Sequence, residues 1–204
     1  MHVKQCYLCG EELIKNRNKS RDHVPPDCIF PRDKPPNLIT IPCCKRCNEE
    51  YQQLDERMRI FFAILAGEKS AGVGQIARRE VLRSRKWREV ILSYTKEHPT
   101  LMDDKGNPRL EFYFDYDELN AWLIRVVKGL FYRQNKARIS NAAIYNVWIY
   151  PQFVPQPSDT LPMEKGLEFR PYFVYGVIRE PNNDFWVLIF YDHLMFSVSV
   201  DMPI

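Results

Sequence analysis

No apolar run in the chain reaches the roughly 18 residues needed to cross a bilayer. The opening stretch, MHVKQCYLCG, lacks the apolar core of a secretory leader. A soluble, cytoplasmic protein with no membrane partner is the expectation. There is no internal repeat and no low-complexity tract. No cysteine occurs after position 47, and all six lie between Cys6 and Cys47. In an intracellular setting disulfides are rare, so close cysteine pairs point to metal binding.

The chain has 204 residues, of which 45% are hydrophobic and 27% charged. That suits one ordinary domain, or a small metal-stapled module joined to a larger core. The net charge of +3 is unevenly spread. Residues 1–95 hold 18 Lys and Arg against 12 Asp and Glu, a net of +6, whereas residues 96–204 hold 11 against 14, a net of −3. The cysteine-bearing half is the basic half, which favours a polyanionic partner there.

Apolar spacing predicts a helix over 48–66, through Leu54, Met58, Phe61, Phe62 and Leu65. A second helix is expected over 75–95. HPTLMDDKGNP reads as a loop, and a third helix follows over 115–136 with Leu119, Trp122, Leu123, Val126, Val127, Leu130 and Phe131 on a wide apolar face. The β-branched and aromatic runs 144–153, 172–179, 185–191 and 195–200 predict an antiparallel meander spanning 144–201, turning at EPNND and DHL.

Cys6-Tyr-Leu-Cys9 and Cys44-Lys-Arg-Cys47 are two C-x-x-C knuckles. The two-residue spacer lets the backbone turn around one ion while both sulfurs face it, and two such turns complete a closed four-cysteine site suited to structural Zn²⁺. Gly10 fits a tight turn after the first pair. Cys43 with Cys47 can also reach one ion, but the spacing favours Cys44. Cys28 has no paired partner and reads as a small buried hydrophobe.

Asp22 and His23 lie between the knuckles, and Asn48 follows the last cysteine. Asp22 offers a hard oxygen to Mg²⁺ or Mn²⁺. His23 is a residue type that can take a proton from water. The amide oxygen of Asn48 can be a second protein ligand, leaving open positions for water and phosphate. The bland readings are a turn cap for Asp22, a satisfied imidazole for His23 and a helix cap for Asn48. Asp55, two helical turns beyond Asn48 on the same face, reads as a solvated charge or as a support for the site.

The ordered set C-x-x-C, D-H-x-x-P, N-L-I-x-x-P, C-x-x-C-N resembles the HNH nucleases of the ββα-metal, treble-clef type, over roughly residues 4–60. The resemblance implies a divalent cation on Asp22, a general base at His23, a loop-pinning role for Asn37 and the third motif position at Asn48, where the family often has His. It also implies an α+β fold: a zinc-stapled ββα-metal module over 1–66, then an α+β region over 67–204 of helices and a C-terminal antiparallel sheet.

The expected function is a metal-dependent endonuclease hydrolysing phosphodiester bonds in DNA, with RNA left open. Arg17, Lys19, Arg21, Lys45 and Arg46 surround the site in sequence. Arg78, Arg79, Arg83, Arg85, Lys86 and Arg88 form a basic run on the second predicted helix. The second half is open to a role in positioning substrate or in self-association as a homodimer. The rival reading is a non-catalytic treble-clef module that binds nucleic acid or protein.

Overall fold

The computed structural model describes residues 4–30, 34–66, 101–102, 108–109, 115–150, 164–166 and 169–203. The predicted helix over 75–95 lies outside these residues. The protein is mixed α and β, with helices, antiparallel sheets and a cysteine cluster near its N-terminus.

Strands β1 (Lys19–Val24) and β2 (Ile39–Cys44) form an antiparallel hairpin, in register from Lys19 opposite Cys44 to Val24 opposite Ile39. A short 3-10 turn, Asp27–Ile29, lies between them. Helix α1 (Lys45–Ala66) follows β2 directly, so it starts three residues earlier than its apolar spacing announces. Its first turn, Lys45 to Asn48, carries no core residue except Cys47, which is why periodicity misses it. Leu54, Met58 and Phe62 recur every four residues and are buried.

The stretch HPTLMDDKGNP is not all loop: β3 (Leu101–Met102) pairs with β4 (Pro108–Arg109). Helix α2 (Tyr116–Asn135) matches its prediction and is capped by Asp115, whose side chain accepts from the backbone N–H groups of Asp117 at 2.8 Å and Glu118 at 3.4 Å. Lys136 closes it in the left-handed conformation, φ 55°.

The strands β5 (Ile144–Tyr150), β6 (Glu164–Lys165), β7 (Phe173–Glu180), β8 (Asn183–Phe190) and β9 (Leu194–Asp201) form one antiparallel sheet in the order β5-β9-β8-β7-β6. The EPNND turn joins β7 to β8. Left-handed Tyr191 and Asp192 turn β8 into β9. Alternation puts Trp186, Leu188 and Phe190 of β8, with Phe196, Val198 and Val200 of β9, on a buried face.

That face shares one core with the helices. The Phe62 ring lies 4.7 Å from Phe190, 5.3 Å from Trp122 and 5.9 Å from Phe196, so packing does not stop at the expected boundary after residue 66. Arg57 of α1 pairs with Glu118 of α2 at 2.7 Å, and the Tyr191 hydroxyl donates to the Ile29 carbonyl at 2.6 Å. Helix α2 also lies close on the hairpin. A Cβ at Gly129 would fall 2.5 Å from Val24 Cγ2 and 3.0 Å from Ile41 Cδ1, so only glycine permits this approach.

Candidate functional site

The sulfur atoms of Cys6, Cys9, Cys44 and Cys47 all lie within 4.8 Å of one another. Cys9 and Cys44, one from each knuckle, are 3.7 Å apart, close to the roughly 3.8 Å edge of a tetrahedron with ~2.3 Å metal–sulfur bonds. The hairpin register carries Cys44 to the base of β1, beside the first knuckle. Gly10 takes φ 80°, and a side chain there would meet Arg138, which donates from Nη2 to the Leu8 carbonyl at 3.0 Å. An arginine just past α2 thus braces the first knuckle. Cys43 is buried 3.8 Å from Cys6 but stands outside the group of four. Cys28 donates its S–H to the Asp55 carbonyl at 3.1 Å.

Above this cluster an open cleft of ≈ 230 Å³ lies between the hairpin and α1. Arg21, Asp22 and His23 of β1, Pro26 and Asp27 of the following turn, and Asn48, Gln52 and Asp55 of α1 line it. Asn48, Gln52 and Asp55 share one helix face by their spacing of four and three. Asp22, His23 and Asn48 therefore meet at one cleft, although Asp22 and His23 are strand neighbours. β1 pairs only with β2 among the described strands, and its unpaired edge lets side chains from both faces reach the rim.

The two neighbours live in different surroundings. Asp22 is 4% exposed. Its Oδ2 accepts from the Tyr7 hydroxyl at 2.6 Å and from Arg125 Nη2 at 2.8 Å and Nε at 3.2 Å, while its Oδ1 accepts from Arg125 Nη2 at 2.7 Å. Arg125, 3% exposed, also donates from Nη1 to Asp55 Oδ1 at 2.6 Å, and the Trp122 indole donates to the same oxygen at 2.9 Å. The guanidinium further lies 4.5 Å from the Tyr51 ring centroid.

Burial disfavours the charge on Arg125, but the surrounding acidic groups, Asp22 and Asp55 among them, outweigh it and hold the guanidinium above its usual range. Burial pushes the Asp55 carboxyl up, against the pull of Arg125. Burial and the charge of Asp22 push the Tyr7 phenol well up, so it stays a donor.

His23, by contrast, has a side chain 42% exposed, with Nδ1 4.0 Å from Asp27 Oδ2. That is an ion-pair distance rather than a hydrogen bond. Asp27 is itself paired with Lys34. Asn37 is exposed in the turn before β2, and its side chain makes no hydrogen bond among the described residues.

Of the basic residues, Arg17, Arg21, Lys45 and Arg46 are exposed and Lys19 is half-buried. Arg46 lies 3.9 Å from Glu11. Arg78, Arg79, Arg83, Arg85, Lys86 and Arg88 lie outside the described residues.

Sequence reasoning missed Arg125 and Tyr7. The signal for Arg125 was present: a charged residue three positions after Trp122 and one before Val126, on an apolar helix face, has to be buried and paired. Tyr7, inside the first knuckle, offered no such signal. Asp55, read as a solvated charge or a support, joins the buried network.

No protein-family model, no curated protein and no solved structure matches the chain. What the site does has to follow from its own residues. Among the described residues, no helix is long and apolar enough to cross a membrane.

Proposed function

We propose that the protein is a metal-dependent phosphodiesterase of the HNH type, acting on DNA, with a structural Zn²⁺ on Cys6, Cys9, Cys44 and Cys47. The observation that supports this most is one open cleft lined by Asp22, His23 and Asn48, set on a hairpin and helix that leave the cysteine cluster in series. Knuckle, hairpin and helix in that order support the treble-clef reading of residues 1–66.

The donor set fits a hard divalent cation such as Mg²⁺ or Mn²⁺ in kind, since carboxylate and amide oxygens surround one open space. Asp22 Oδ1 takes a single donor and keeps a lone pair, and Asn48 lines the same cleft. Such a cation, when bound, offsets negative charge on the phosphate and the leaving oxygen. Because Arg125 already neutralises part of the charge of Asp22, cation affinity is expected to be low.

His23 is accessible and takes a proton from a water in the cleft. The hydroxide oxygen bonds to phosphorus as the bond to the leaving oxygen breaks, and solvent protonates that oxygen. Asp27 stands 4.0 Å from Nδ1, with no hydrogen bond to it. Arg21 faces the phosphate from the rim.

One observation favours the non-catalytic rival: the carboxylate of Asp22 is held by Arg125 and Tyr7 whether or not a cation binds. Zinc-loaded protein incubated with supercoiled plasmid and millimolar Mg²⁺ or Mn²⁺ separates the two. Nicking that stops when the added divalent ion is left out supports the hydrolase. Plasmid retardation without nicking under any of these ions supports the binding module.

A further inference from the structure

Strand β1 alternates, so Asp22 and Val24 face the core while Lys19, Arg21 and His23 form a row on the outer face. Successive members stand about 6.7 Å apart along the strand, two residues at the usual strand rise, which is about one phosphate-to-phosphate step of a nucleic-acid strand. Across the hairpin, Thr40 stands opposite His23 and Pro42 opposite Arg21, and Cys44 of the cysteine cluster stands opposite Lys19, so the facing strand adds no charge beside His23 and Arg21.

A second groove of ≈ 230 Å³, distinct from the cleft, runs along this face and is lined by Lys4, Lys19, Arg21, Thr40, Ile41 and Pro42. It contains three cations and no acid, and Lys4, Lys19 and Arg21 have no ion pair among the described residues. Arg21 lines both the groove and the His23 cleft, so the two spaces meet there.

We infer that the outer face of β1 is a one-sided phosphate track. It takes a polynucleotide backbone with one phosphate at His23, the next at Arg21 and the one after between Lys19 and Lys4. This rests on the hydrolase reading for the identity of the scissile phosphate. It adds the path of the strand, which enters from the side of the first knuckle. Asp22, Asp27 and Asp55 line the cleft that the track enters at His23, but each of them is already paired with a cation. Asp22 faces the core against Arg125, Asp27 is paired with Lys34, and Glu11 lies against Arg46.

The test combines Lys4→Gln with Lys19→Gln, which leaves every cleft residue in place. Binding of a labelled DNA duplex and its single strand is measured by fluorescence anisotropy across a salt series. The measurement is made on zinc-loaded protein without added divalent cation, in a His23→Ala background. Each lost phosphate contact lowers the slope of log affinity against log salt by about 0.9 on duplex and about 0.7 on single strand. The double variant strips the cations from one phosphate and should therefore lose about 0.9 on duplex and about 0.7 on single strand. In the His23 protein, hydrolysis of bis(p-nitrophenyl) phosphate, which is too small to reach Lys19, should stay within about twofold. An unchanged salt slope overturns the track. So does a small-diester rate that falls as far as DNA cleavage, because the lysines would then be acting through the cleft. A reduced slope in a protein that hydrolyses neither substrate leaves the track standing and removes the hydrolase reading.

Discussion

The stretch from Cys6 to Ala66 and the sheet from Ile144 to Asp201 are held by different physics. The sheet buries large aromatic and branched side chains along three long strands, in a core it shares with the helices. The hairpin is two strands of six residues each, which is marginal without support. Four thiols crowded at its base and an arginine from a distant helix supply that support. The proposed chemistry falls on the weaker element, which is supported by the cysteine cluster at its base and by Arg125 of α2.

Breaking the staple should have the largest effect. Metal binding at structural zinc sites of this kind is worth about 10–16 kcal/mol and is folding energy. Cys44→Ser should therefore lose the metal and unfold roughly the first 60 residues, with loss of amide protection in β1, β2 and α1. Protection in β7, β8 and β9 should outlast it, because their ladders lie within the sheet and α2 still covers its buried face. Equal loss of protection in both regions would show that they are one cooperative unit.

Both cysteine spacings, the helices α1 and α2 and the β7-β8-β9 meander were legible in the sequence, because two-residue cysteine spacing and periods of 3.6 and 2 are local signals; the pairing of β5 with β9, across the sheet from meander order, and the short β6 were not. The start of α1 was not, since its first turn buries only Cys47 and is otherwise polar. Also illegible was the pairing of Arg125 with Asp22, 103 positions apart. Periodicity puts Arg125 on a buried face but does not say which acid it meets. The cleft itself was legible as a set, Asp22 with His23 and Asn48, yet the sequence presented Asp22 as a free ligand where the fold presents it clamped.

The clamp is the bridge between the regions, and removing it is the next largest perturbation. Arg125→Met leaves Asp22 and Asp55 as uncompensated buried acids and should cost about 3–5 kcal/mol, read from denaturant melts. Adding Asp22→Asn and Asp55→Asn to it should recover a large part of that loss, because no unpaired charge then remains. If the single variant melts like the parent protein, Arg125 is not what holds α2 to the hairpin.

The central claim is that His23, beside the cysteine cluster's hairpin, is the base of a phosphodiester hydrolase. Its most direct test is the rate of plasmid cleavage by His23→Ala at zinc content and thermal midpoint matched to the parent protein. The account predicts a fall of about 10² or more from loss of the base, equivalent to about 2.7 kcal/mol of transition-state stabilisation. A variant that keeps its zinc and its fold and cleaves at the parent rate would contradict it.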